Sequence, residues 1–136
     1  MIIDFSPLIA VLIMVESSGN DLAIGDNGDS VGCLQIQMGV IKDVNRIYTV
    51  TYKEEDRYNR SSSKDICQYY LNYWVKKAYV CAEFPKDQTF NVNEIAARIW
   101  NGGPNGFKKN NTIKYWNKVK RIGKELGYDR YADNID

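Results

Sequence analysis

The run Pro7-Leu8-Ile9-Ala10-Val11-Leu12-Ile13-Met14-Val15 holds no polar side chain and ends abruptly on Glu16. A helix that is apolar on all sides is a buried helix, so the remainder of the chain has to be built around this one. Ser6 offers a cap and Pro7 suits the first helical position, where an absent N–H leaves nothing unsatisfied. The pattern predicts a helix over Ser6–Glu16. The run is too short to span a bilayer. It also lacks the marks of a signal peptide: no basic residue precedes it, Asp4 stands where positive charge is expected, and no small-x-small cleavage site follows. A chain of this kind is expected to be made in the cytoplasm without a signal peptide. It would meet any target outside by release, by carriage on a virion or by specialised secretion.

With 136 residues the chain is large enough for one domain with a real core, 1–136, and too small for two. Residues 17–31, rich in Gly, Asp and Asn, read as a loop or a short β-hairpin within 20–32. Ile36, Val40, Ile41, Val44 and Ile47 then have helical spacing, with a break expected near Gly39. Residues 48–60 show no clear period. Ser61–Ser63 offer caps, Ser62-x-x-Asp65 a capping box. Behind them Ile66, Cys67, Tyr70, Leu71, Trp74, Val75, Ala78 and Tyr79 form the clearest helical stripe in the chain. A short helix over Asn93–Trp100 should end at Gly102-Gly103-Pro104, and a last one should run from Asn111 to Leu126 with Gly127 as its stop. Strand signals are poor. The expected class is mainly α, with at most a small β-hairpin.

The chain contains no histidine, which removes Ser-His and Cys-His catalysis and the usual zinc hydrolases. Cys33, Cys67 and Cys81 have neither disulfide-scaffold nor zinc spacing and read as reduced; Cys67 and Cys81 on one helix would lie about 21 Å apart. The glycines of 25–32 are not followed by Gly-Lys-Ser/Thr, so they form no phosphate loop, and the Asp26–Ser30 stretch lacks the ligands of an EF-hand. The sequons at Asn59 and Asn110 are short enough to arise by chance. A net charge of +1 gives no global case for nucleic acid; Lys114, Lys118, Lys120, Arg121 and Lys124 read as a solvated helix face. Any chemistry therefore rests on carboxylates, amides and hydroxyls, with no metal and no cofactor. Glu16 is the natural candidate. At the C-terminal end of a buried helix, desolvation and the helix dipole both favour a protonated carboxyl able to act as a general acid.

Glu16-Ser17-Ser18-Gly19-Asn20, Gly25-Asp26-Asn27-Gly28, Gly32-Cys33-Leu34-Gln35, Ile99-Trp100-Asn101-Gly102-Gly103 and Thr112-x-x-Tyr115-Trp116-x-x-Val119 occur in that order. Together they resemble the goose-type lysozymes and the related soluble lytic transglycosylases, whose motifs are Glu-Ser, Gly-Leu-Met-Gln, Ala-Tyr-Asn-x-Gly and Thr-x-x-Tyr-Val-x-x-Val. The resemblance implies a lysozyme-like fold with a substrate cleft. It also implies a peptidoglycan-cleaving muramidase, in which Glu16 protonates the leaving oxygen between N-acetylmuramic acid and N-acetylglucosamine. Two routes complete such a reaction. Asp26 could hold a water for hydrolysis, with Asp29 as a possible substitute, or the sugar's 6-hydroxyl could close an anhydro ring as in lytic transglycosylases. Aspartates also occupy such turns for backbone reasons. Gln37 stands where goose-type enzymes carry a second Asp. By the same resemblance Ser17, Gln35, Trp100, Asn101 and Tyr115 would bind substrate, and the partners would be peptidoglycan glycan strands met by a monomer. The rival from another class is a non-catalytic glycan-binding or structural module on the same fold. Keeping Glu16, Gln35, Asn101 and Tyr115 together counts against it, since an inactive descendant needs none of them for chemistry.

Overall fold

The computed structural model describes residues 2–80 and 91–128. Among them are five α-helices and one two-stranded antiparallel ribbon: α1 Ser6–Ser17, β1 Ile24–Gly25, β2 Ser30–Val31, α2 Met38–Tyr48, α3 Arg60–Val80, α4 Val92–Gly102 and α5 Ile113–Glu125. The class is mainly α with a small hairpin. No helix among the described residues is long and apolar enough to cross a membrane. Cys81, Pro85 and the tail after Tyr128 lie outside the described residues.

The chain falls into two units: residues 12–70 form one, residues 1–11 with 71–136 the other. The hairpin unit has its core in Leu12, Ile13, Val15, Val31, Leu34, Ile36, Ile41, Val44 and Ile66, all buried. In the terminal unit the buried set is Phe5, Leu8, Val11, Leu71, Val75, Ile95, Ala96, Ile99, Trp116 and Val119. The apolar run is buried along most of its length, as an all-apolar helix requires, although Met14 is 37% exposed.

The helices form where the periodicity places them, but their starts differ. At α1 the Asp4 carboxylate, not the Ser6 hydroxyl, takes up the Ser6 N–H at 2.9 Å. The Ser6 hydroxyl and amide together hold the Asp4 carboxyl below its usual value. At α3 the cap is Asn59, whose Oδ1 accepts from Ser62 N at 2.9 Å. The serines expected to cap lie inside the first turn, and Ser63 is buried with its hydroxyl donating to Arg57 O at 2.9 Å. Asn91 caps α4 through Asn93 N. Gly39 breaks nothing: it sits in the first turn of α2, where a Cβ would meet open space. Ile36 lies outside α2, in a bridge with Val31, because Gln35 before it adopts a left-handed conformation with φ 52°.

In the hairpin unit, Asn45 at the end of α2 clamps the following segment: its Oδ1 accepts from Tyr52 N and its Nδ2 donates to Tyr52 O, at 2.9 and 3.0 Å. Tyr69 of α3 packs its ring against Tyr48 at 4.5 Å between centroids. Tyr70, next to it, is buried; burial, with the Asp43 carboxylate nearby, pushes its phenol up to about 12. An unfolded tyrosine titrates near 10. The folded state therefore keeps a proton that the unfolded chain gives up. The resulting stability is present in full below pH ~10 and is lost as pH rises toward ~12. Urea unfolding from pH 8 to 12 should show wild type losing roughly 2 kcal/mol relative to Tyr70→Phe over that window; parallel curves would place Tyr70 in a more solvated setting.

Candidate functional site

The segment after α1 folds back on itself through its own polar groups. Ser18, Asp26, Asn27 and Gln35 all have φ between 51° and 56°, and Gly19, Gly28 and Gly32 lie between 84° and 96°. So dense a series of left-handed residues is costly for side chains other than Gly and Asn, and it persists here because hydrogen bonds over-determine it. β1 and β2 pair Ile24 with Val31 and Gly25 with Ser30. Asp26–Gly28 forms a 3-10 turn between the strands. Gly32 N donates to Ala23 O at 2.8 Å, and Val31 and Ile36 exchange both backbone bonds.

Each residue proposed for chemistry or substrate binding in this segment takes part in that closure. Ser17 Oγ donates to Cys33 O at 2.8 Å and accepts from Asn20 N at 3.1 Å. Gln35 Nε2 donates to Gly32 O at 3.0 Å and Ala23 O at 3.2 Å. Its Oε1 fills the space where a Cβ on Gly25 would project, so a side chain there would displace the Gln35 amide. Asp26, exposed at the hairpin tip, accepts from Ser30 Oγ at 2.5 Å. The buried Ser30 hydroxyl accepts in turn from Gln37 Nε2 at 3.3 Å. Gln37, the departure from the goose-type pattern, thus completes a relay of side chains within the loop. Asp29 is exposed and its amide donates to Asp26 O at 3.2 Å.

Glu16 is half-buried in the last turn of α1. Its carboxylate lies close enough to Cys67 to add to the burial that pushes that thiol well above its usual value. Cys33 is likewise buried and free, raised by burial first and by Asp21 second. Both are poor nucleophiles in this state, since the thiolate is the reactive form. No group of three or more His, Cys, Asp or Glu among the described residues is arranged to hold a metal ion.

Two arginines that the sequence did not single out hold the loops in place. Arg57 is 7% exposed. Its Nη1 donates to Ile36 O at 3.0 Å and Asp29 O at 3.3 Å, and its Nε donates to Glu54 O at 3.0 Å. Gly32 lies so close to Arg57 O that any Cβ there would collide with it. In the terminal unit Arg98 pairs with Glu94 at 2.8 Å and donates to Thr112 Oγ1 and Lys109 O. There Gly106 lies against Arg98 O in the same way. Arg57 falls in the aperiodic 48–60 stretch and Arg98 on a predicted helix, and neither position carries a sequence signal that it would bond loop oxygens.

Trp100, Asn101 and Tyr115 belong to the terminal unit, Glu16, Ser17, Asp26 and Gln35 to the hairpin unit. Trp100 is half-buried near the end of α4. Asn101 and Tyr115 come together on the wall of a groove of about 660 Å³, with Asn111, Asn117, Lys114, Lys118 and Arg121 around them.

No protein-family model matches the chain, and no curated protein does. Among solved structures the chain is similar to a chain of the crystal structure of Aeromonas hydrophila PliI in complex with Meretrix lusoria lysozyme. The two share 25% identity over 86% of this chain and 88% of that one, with a TM-score of 0.69. This corrects the expectation of a peptidoglycan-cleaving muramidase, as hydrolase or as lytic transglycosylase, with glycan strands as partner. The similar structure is a complex of one protein with another.

Gln35→Ala should cost about 1–3 kcal/mol through two lost bonds to loop carbonyls. Arg57→Met should cost about 2–5 kcal/mol by removing the guanidinium bonds to three carbonyls, of which Ile36 O keeps its bond from Val31 N. Urea midpoints measure both; losses within 0.5 kcal/mol, the scale of an ordinary surface substitution, would show that the loop closes without them.

Proposed function

We propose that this chain is a non-catalytic binding module, on a helical scaffold akin to that of the goose-type lysozymes and lytic transglycosylases, and that its ligand is a protein. The observation that carries this reading is the similarity to a chain of a lysozyme–PliI complex. The engagement of Ser17, Gln35 and Asp26 within their own loop supports it. So does the backbone constraint around them, which presents a pre-ordered surface. A surface fixed before contact loses little conformational freedom on association.

The reading is tested by titrating the purified chain against PliI and against the Meretrix lusoria lysozyme. A 1:1 complex with one of them, at micromolar Kd or tighter, is the expected result. In parallel, peptidoglycan incubated with the chain should release no muropeptides detectable by mass spectrometry. Release that disappears in Glu16→Gln would overturn the reading, as would failure to bind either protein.

A further inference from the structure

Charge is unevenly distributed along this chain. The whole sequence carries 18 cations and 17 anions. Helix α5 alone carries Lys114, Lys118, Lys120, Arg121 and Lys124 against one carboxylate, Glu125. The remainder of the molecule is therefore net acidic, and α5 is a local basic element with a net charge of +4.

The structure separates these cations by role. Lys120 sits over the Trp116 ring, 5.8 Å from its centroid. Lys114, Lys118 and Arg121 line the groove that also holds Asn101 and Tyr115. Their spacing of four and then three residues puts all three on one face of the helix, within about 10 Å along its axis. Among the described residues no carboxylate lines the groove. Arg121 reaches Glu125 only at 3.8 Å, with both side chains more than 60% exposed, a geometry that contributes little. Three like charges along one wall repel one another until a counter-charge arrives.

We infer that this groove docks an acidic polypeptide segment of the partner protein. Carboxylates two residues apart in an extended strand recur about every 6.6 Å on one side, close to the ~6 Å between Lys114 and Lys118. A helix bearing carboxylates at i, i+4 and i+7 matches all three cations. Side-chain amides of the groove, Asn101 among them, supply donors and acceptors for a peptide main chain, and the Tyr115 ring supplies an apolar wall. With a total charge of only +1, the molecule lacks the extended basic field that draws in nucleic acid. This assignment rests on the protein-binding reading above and gives that binding a place and a sign.

The test uses the full chain and a fluorescein-labelled deca-glutamate peptide, with deca-lysine and a ten-nucleotide oligo-dT as controls, at 50 mM and 300 mM NaCl. Anisotropy should show deca-glutamate binding that weakens with salt. The pair Lys118→Glu and Arg121→Glu should weaken it about tenfold or more, whereas Lys64→Glu, in the hairpin unit, should leave it unchanged. Equal loss in Lys64→Glu, or no loss in the pair, overturns the assignment. Tighter binding of oligo-dT with the same variant dependence would make the groove a polyphosphate site instead. The protein titrations distinguish the two readings. If the charge-reversed pair binds PliI or lysozyme as wild type does, the groove is not the docking place while the protein-binding function stands. Deca-glutamate bound by a chain that binds neither protein upholds the groove and removes the earlier reading.

Discussion

One arrangement recurs in both units: an arginine guanidinium gathers loop carbonyls, and a glycine lies against that same arginine's backbone oxygen. In the hairpin unit Arg57 draws in Ile36 O, Asp29 O and Glu54 O while Gly32 packs on Arg57 O. In the terminal unit Arg98 takes Lys109 O and Thr112 while Gly106 packs on Arg98 O. Backbone carbonyls removed from water need donors, and segments without helix or sheet have none to spare. A guanidinium offers five N–H groups in a fixed fork, so one side chain can satisfy several turns. The close glycine approach sets how tightly each loop can be drawn in. The apolar helix fixes where the cores are; the two arginines fix the loops laid over them.

Much of this was legible in the sequence. The all-apolar run, the stripe from Ile66 to Ala78 and the Gly102-Gly103 stop each follow from a period or a backbone preference and fall where expected, whereas Tyr79, expected on the same stripe, is exposed. Helix starts were less legible. Ser6 and Ser61–Ser63 have the chemistry of caps, but Asp4 and Asn59 do the capping, because cap choice depends on which side chain faces the exposed N–H groups rather than on which type is present. Gly39 and Ile36 were misplaced for a related reason. The left-handed turn at Gln35 ends one structure and delays the next, and a glutamine in that conformation carries no local signal.

The candidate site was legible as a set of residues and not as a set of roles. Hydroxyl, amide and carboxylate groups near a half-buried Glu16 satisfy the chemistry of glycosidic cleavage, and they satisfy equally the needs of a loop crossing the left-handed region seven times. Composition and spacing do not separate these demands. In the structure the hydrogen bonds of Ser17, Gln35 and Asp26 go to the loop. In α5 the helix face expected to be solvated charge is exposed at Lys114, Lys118 and Arg121, and these three also line one groove with Asn101 and Tyr115.

The closed hydrogen-bonding of residues 17–37 also bears on how such motifs persist through descent. Gly32 is held by the backbone oxygen of Arg57, and Gly25 and Ser17 contribute to the same closure through Gln35 and Cys33 O, so drift at these positions is opposed by loss of loop stability, whatever the protein does. A lineage that gave up cleavage would keep the same string of letters as one that retained it, held there by the integrity of the fold alone. Letters held by loop closure in this stretch do not by themselves report on enzymatic work.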